Sequence, residues 1–352
     1  NIEKFVADWE RANGGTPIPP PAPPTGFKIG VVGSGPAGLT VAGDLVKLGH
    51  DVTIFEALHR PAGVLAYGIP EFRMPRLIVN SEIDYIRKLG VKFEYDVIIG
   101  VTITVDELFE QGFHAIFIGT GAGLPKMMNV PGENFAGVYS ANEFLTRVNL
   151  MGASNFPEND TPIRDSQHTV VVGGGNTAMD SARVARRVSK AKVTLVYRRS
   201  EEELPARKEE VHHAMQEGID FRLLNNPVEV LGNKAGEVIG IRCIKMELGE
   251  PGPDGRRRPV PMKGSEWEME CDTVIVAIGN SPNPIIPRTT PGLEVTKWGT
   301  IVADEETGKT TRDGVWAGGD IVSGAATVIR AMGAGRKAAK AINEYLQTLP
   351  KP

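Results

Sequence analysis

Two stretches of this chain say almost the same thing. Residues 29–42 read IGVVGSGPAGLTVA and residues 169–182 read TVVVGGGNTAMDSA. Each is a short β-branched run that ends in a glycine turn and opens onto a helix-forming stretch. A strand, a glycine turn and a helix in that order make the first crossover of a parallel sheet, with the helix packed back on its strand. Two such fingers ask for two sheets and two cores. The length agrees, since 352 residues exceed what one hydrophobic core holds and suit two domains.

The remaining apolar runs extend both sheets. KIGVVG and DVTIFE flank one helical stretch, and YDVII and AIFIGTG follow as strands. At residue 169 the cycle restarts with TVVVGG and KVTLVYR, and DTVIVAIG at 272–279 continues it. GVWAGGD (314–320) reads as a late strand and residues 325–346 as a long final helix. The halves form an internal repeat offset by about 140 residues, each a nucleotide-binding unit. The expected fold class is α/β, with two Rossmann-like domains and the second inserted into a discontinuous first.

In the first finger, Gly33 allows the tight turn, and Gly35 lets a pyrophosphate approach the backbone. Gly38 lets the helix that begins near Pro36 and Ala37 pack close to the strand. Phosphates would sit on the free N–H groups of that helix N-terminus. Strand 52–55 ends in Glu56, placed to accept hydrogen bonds from a ribose hydroxyl pair. The second finger, Gly173, Gly174, Gly175, Asn176, Thr177 and Ala178, has the same layout with alanine at its last position. Aligning VTIFE with VTLVY puts Tyr197 opposite Glu56, followed by Arg198 and Arg199. A ribose-binding carboxylate is replaced by two guanidinium groups, the arrangement that a 2′-phosphate wants. The first finger therefore suits a dinucleotide with a free ribose, and the second suits NADPH.

Residues 308–335 bear on which dinucleotide the first finger holds. A strand ending in Gly318, Gly319 and Asp320 brings a carboxylate beside a ligand's sugar chain. The helix expected from Ala325 would aim its positive end at developing negative charge, as a hydride-accepting flavin requires. The first dinucleotide is then FAD. Hydride transfer needs stacking geometry and no side-chain acid or base, so no catalytic residue is assigned.

These carrying stretches go further together than any one of them. GSGPAGLTVAGDL, FEALHRPAGVLAYGIPEFRMPR, AIFIGTGAGLPK, GVYSANEFLTRVNL, GGGNTAMDSARVA and WAGGDIVSGAATVIRAMGAGRKAA make the chain similar, over essentially its whole length, to one family. It is the family of the small subunit of NADPH glutamate synthase. That family also includes the large subunit of NADH-dependent ferredoxin:NADP oxidoreductase and the electron-entry half of dihydropyrimidine dehydrogenase. The resemblance implies that residues 56–64, among them Glu56 and Ala57, and Arg73 line the FAD, with Gly63 and Val64 by the isoalloxazine. It implies that Gly121 and Ile99 close the adenine side, and that Gly319 to Val328, with Asp320, Ala326 and Thr327, hold the ribityl chain and ring edge. For NADPH it implies Gly174 to Ala178, Arg198, Arg199, Arg207 and the run Ala277 to Gly279. Ala62 departs from the pattern, standing where the family has glycine.

The expected domains are a helix and linker at 1–26, an FAD-binding domain at 27–163 and 284–352, and an NADPH-binding domain at 164–283. Ile2, Phe5, Val6 and Trp9 form one apolar stripe of the first helix, and six prolines stiffen residues 14–26 into a spacer. Such a stripe either seeks a partner or lies back on its own domain. The resemblance implies that helix and spacer are the tail end of a cysteine-rich domain that carries iron–sulfur clusters.

Composition narrows the function. The net charge of −4 gives no electrostatic case for nucleic acid or an anionic membrane. Cys243 and Cys271 are too few and too far apart for a disulfide framework, a metal site or a redox pair beside the flavin. A cytoplasmic location is expected, with no apolar run long enough to cross a bilayer and no signal peptide. Three functions remain open: an electron-entry subunit serving a glutamate synthase large subunit through iron–sulfur clusters, the large subunit of a ferredoxin:NADP oxidoreductase that could bifurcate electrons, or a non-catalytic flavin scaffold. Intact motifs at both fingers weigh against the scaffold.

Overall fold

The computed structural model describes residues 2–189, 191–252 and 255–352. The fold divides into two compact units. The first comprises the chain up to Ala66, Pro75–Gly123 and Ser281–Pro352; the second comprises Tyr67–Met74 and Leu124–Asn280.

In the first unit five parallel strands lie in the order Val315–Ala317, Ala115–Ile118, Lys28–Val32, Asp51–Phe55 and Lys92–Glu94. The central strands are near-continuous apolar runs because both faces of the sheet are covered. Ile29, Val31, Val52, Ile54, Phe117 and Trp316 are buried with residues of the helices Pro36–Val46 and Val328–Leu346. Val32, Phe55, Ile99, Ile116, Ile118 and Val315 belong to a second buried cluster. The two helices approach closely, since a methyl group at Gly335 would stand 2.5 Å from the Ala37 carbonyl oxygen.

The second unit repeats the plan with strands Val138–Ser140, Thr273–Val276, His168–Val172, Lys192–Tyr197 and Asp220–Leu223, again parallel. An antiparallel sheet is added to it, in which the long strand Val238–Pro251 pairs with Asn225–Gly232, Arg257–Pro261 and Trp267–Glu270. Cys243 and Cys271 are buried there in an apolar cluster, and burial pushes both thiols up to about 12.

Four sequence expectations change. YDVII is not a strand: pairing covers Lys92–Glu94, and Asp96 takes a left-handed φ of 58° that ends the run. The last helix starts at Val328 rather than Ala325, because Thr327 caps it. Residues 124–163, read as the end of the first domain, lie in the second unit, where Val138–Ser140 fills the sheet edge beside Thr273–Val276. The turn-rich stretch GEPGPDGRRRPVP suggests a solvated loop for its basic run Arg256, Arg257 and Arg258, yet the run enters the strand Arg257–Pro261, while residues 253 and 254 of its turn lie outside the described residues. The first helix forms over Ile2–Ala12, and Ile2, Phe5, Val6 and Trp9 are all exposed. Among the described residues no helix is long and apolar enough to cross a membrane.

Candidate dinucleotide sites

The first finger is shaped by collisions that glycine avoids. Gly33 has φ 94°, and a methyl group there would stand 2.8 Å from the Gly119 carbonyl oxygen. At Gly38 it would stand 2.0 Å from the Gly33 carbonyl oxygen, so the third glycine is what lets the helix lie on its strand. At Gly35 it would meet only the Gly119 oxygen, 3.9 Å away, which leaves open space over the turn. The helix Pro36–Val46 begins there with proline in its first turn and no side-chain cap. An open turn over uncapped N–H groups fits a pyrophosphate.

Glu56 ties this turn to the next loop. It is buried; its Oε2 accepts the Ser34 N–H at 3.0 Å and the Ser34 hydroxyl, and its Oε1 accepts the Leu58 N–H at 2.9 Å. The Ser34 hydroxyl in turn accepts the Ala62 N–H at 3.0 Å. Ala62 pays with a φ of 89°, a conformation that disfavours a side chain, and Gly63 follows at 53°. A methyl group at Gly63 would stand 3.1 Å from the Gly35 Cα, so the loop rests on the finger itself. From the C-terminal segment Gly319, at φ 79°, brings its Cα side within 3.2 Å of the Ala37 Cβ, measured from the methyl it lacks. Burial raises the Asp320 carboxyl, whose Oδ1 accepts the Ala326 N–H at 3.2 Å. Gly121 is open at φ 68°, and Ile99 is buried in the core below.

The segment Tyr67–Met74 belongs to the second unit, where the Arg73 Nη1 binds both Asp180 carboxylate oxygens at 2.8 and 2.7 Å and its Nε meets Glu210 at 2.9 Å. Burial pushes the Asp180 carboxyl up to about 6 even against this neighbour. Beside it Phe72 packs under the guanidinium groups of Arg183 and Arg187, 4.5 and 4.1 Å from its ring centre. Sequence reasoning missed this latch; its one local signal was Asp180 and Arg183 on the buried side of a helix.

In the second finger Gly173, at φ 142°, avoids the Ala277 carbonyl oxygen, which a methyl group would approach to 2.2 Å. Gly174 lies against the Tyr197 ring and Leu204, Gly175 is open, and the helix Asn176–Val188 again starts uncapped by any side chain. Ala178 is buried without conflict at the position of Gly38. Tyr197, where the first unit has Glu56, is buried, and its hydroxyl donates to the Glu203 carbonyl at 2.7 Å. The chain then curls back over the finger. The Ala206 N–H reaches the Gly174 carbonyl at 3.2 Å, and the Arg207 N–H reaches the Asn176 Oδ1 at 3.0 Å. Arg198 and Arg207 are exposed at the two ends of that loop; Arg199 is buried between them. Gly279, at φ 106°, closes the facing strand end with open space before it.

Residues 27–335 match the model of one family, described as pyridine nucleotide-disulphide oxidoreductase. The chain belongs to that family. As a pyridine nucleotide oxidoreductase it falls among the NADP-dependent flavoproteins, whose cofactors are FAD and NADPH. It is 39% identical to the NADP(+)-dependent formate dehydrogenase subunit beta of Moorella thermoacetica, over 98% of this chain and 50% of that one. It is 35% identical to the glutamate synthase [NADPH] small chain of Halomonas elongata, over 98% of this chain and 74% of that one. The chain thus spans about half the length of several relatives that it matches. Among solved structures, FprA from Mycobacterium tuberculosis shares the fold at a TM-score of 0.77 and 20% identity, covering 93% of this chain and 85% of that one.

Proposed function

We propose that the chain takes electrons from NADPH and passes them through FAD to an iron–sulfur partner. The observation that carries this reading is one difference between the two fingers: a buried carboxylate, Glu56, at one, and Tyr197 with Arg198 and Arg199 at the other. On this reading the first unit holds FAD through Gly33, Gly35, Pro36, Ala37, Glu56, Gly63, Gly319 and Asp320. The second holds NADPH through Gly174 to Ala178, Arg198, Arg199, Arg207 and Gly279. FAD, when bound, accepts a hydride as an electron pair and gives electrons up singly. The chain's own part is to seat each nucleotide on an uncapped helix end and to choose the phosphorylated ribose.

Two buried thiols held near 12 cannot serve as a disulfide relay or as cluster ligands. Similar proteins are named as subunits, among them the NADPH-Fe(3+) oxidoreductase subunit beta of Geobacter sulfurreducens. A glutamate synthase large subunit is the partner we favour; the alternative is a ferredoxin:NADP oxidoreductase large subunit. Anaerobic mixing with NADPH tests the core claim. The flavin should bleach with NADPH much faster than with NADH, ferricyanide should be reduced, and no glutamate should form from 2-oxoglutarate and glutamine. A flavin that NADPH leaves oxidised would overturn the proposal.

A further inference from the structure

The loop that carries Arg198, Arg199 and Arg207 is held from outside as well as by its own finger. Beside it runs the antiparallel hairpin strand Arg257–Pro261. The Arg199 Nε donates to the Arg257 backbone carbonyl at 2.7 Å. The Arg257 side chain turns back on the same loop, with its Nε donating to the Glu203 Oε1 at 2.6 Å and its Nη2 to Glu202 at 3.1 Å. Glu203 is only 7% exposed, and its other carboxylate oxygen accepts the Ser200 hydroxyl. Hydrogen bonds from Arg257 first, and from Ser200, hold its carboxyl below the usual range, so it is ionised at neutral pH.

This arrangement raises an electrostatic problem and solves it. The second unit replaces the ribose-binding acid by Tyr197, yet keeps a carboxylate six residues on, at Glu203, in the network that contains Arg199. A 2′-phosphate carries close to two negative charges, and an uncompensated carboxylate beside its site repels it. We propose that Arg257 is a positioning residue for selection of the phosphorylated ribose: its guanidinium neutralises Glu203 while its carbonyl aims the Arg199 guanidinium at the phosphate. The hairpin is then part of the specificity apparatus. The claim rests on the NADPH reading above.

Calorimetry on the full chain, with adenosine 2′,5′-bisphosphate and 5′-AMP as probes, separates the two claims and needs no turnover. Arg257→Ala should weaken the bisphosphate by about 10-fold and leave 5′-AMP within about twofold, because only the former meets the exposed charge. Adding Glu203→Gln to Arg257→Ala should restore the bisphosphate to within about threefold of the parent, and Arg257→Lys should stay close to it. Equal weakening of both probes would mark Arg257 as structural support and overturn the inference. So would a double variant as weak as Arg257→Ala alone, or an unchanged preference. Arg198→Ala is the control on the underlying reading. If it abolishes the preference while Arg257→Ala does not, the inference fails and the NADPH reading stands; if neither variant changes the preference, both fail.

Discussion

The two glycine fingers are built to one plan, yet they tolerate different things. At the first, a methyl group on the third glycine would sit 2.0 Å from the Gly33 carbonyl, and a loop at positive φ rests on the second glycine. At the second, Ala178 fills the third position without strain, and an aromatic ring lies on Gly174 instead. The first ends in a buried carboxylate whose donors all come from the finger and the loop beside it. The second ends in a loop that carries Arg198, Arg199 and Arg207 and is fastened by a hairpin some 50 residues further on. One finger is closed upon itself. The other is fastened from a distance, which on the proposed reading would let its ligand preference change without disturbing the glycine turn.

Exchanging the third positions is the harshest test of that contrast. Gly38→Ala should lose nearly all bound flavin, since the clash is with backbone and relief means moving the helix off its strand, at a cost beyond about 3 kcal/mol. Ala178→Gly should change NADPH binding by less than about threefold, through helix propensity alone. Flavin absorbance per polypeptide checks the first and fluorescence titration the second; comparable losses would erase the distinction. Next in size, Arg198→Ala should weaken NADPH by about 10- to 100-fold and leave NADH little changed, as loss of one phosphate-bound guanidinium does. Equal losses for both nucleotides would mean that the arginine is no phosphate ligand.

A smaller effect belongs to the latch on the second finger's helix. Burial raises the Asp180 carboxyl from 3.8 to about 6, so its ionised form is disfavoured in the folded protein. The folded state then binds more protons than the unfolded one between these values, and stability falls as pH rises through that window. Asp180→Asn carries no such charge. Its melting temperature should match the parent's near pH 4 and exceed it above pH 6, by about 1–2 kcal/mol in stability. A parent that gains on the variant as pH rises would show the Arg73 pair to be net stabilising. The smallest effect is at the first finger, where Ala62→Gly should stabilise by about 0.5–1 kcal/mol by relieving the positive φ. Chemical denaturation reads it, and no gain would mean that the loop holds alanine there at no cost.

What the sequence revealed was whatever is local. Finger, strand and acid lie within about 25 residues, and a turn that needs Gly33 or Gly173 announces itself in one dimension. The Tyr197 substitution was visible for the same reason. The Arg73 ion pairs could not be read in advance, because its partners, Asp180 and Glu210, lie more than 100 residues away and mean something only once the fold brings them in. The membership of residues 124–163 failed similarly. Val138–Ser140 is three residues long and half-buried, too little signal to show that it pairs with Thr273–Val276. The antiparallel sheet was less legible: VIGIRCIKMEL alternates over much of its length, but its partner strands are short and lie up to about 30 residues away.

The passage of Tyr67–Met74 through the second unit bears on how such a protein can be taken apart. The chain leaves the first unit twice, at Ala66 and at Gly123, and returns twice, at Pro75 and at Ser281. Excising residues 124–280 as a cassette would therefore leave behind the eight-residue strip that carries Phe72 and Arg73, and deprive buried Asp180 of the guanidinium that binds both its oxygens. Grafting the second nucleotide unit onto another scaffold would need that strip sewn back in, whereas a cut through the first unit's outer loops would spare it. Exchange between relatives at the junctions 123 and 281 alone would break the same pairing, so the two short crossings at 66 and 75 are expected to travel in inheritance with the long insert, although they are separated from it by a stretch of the other unit.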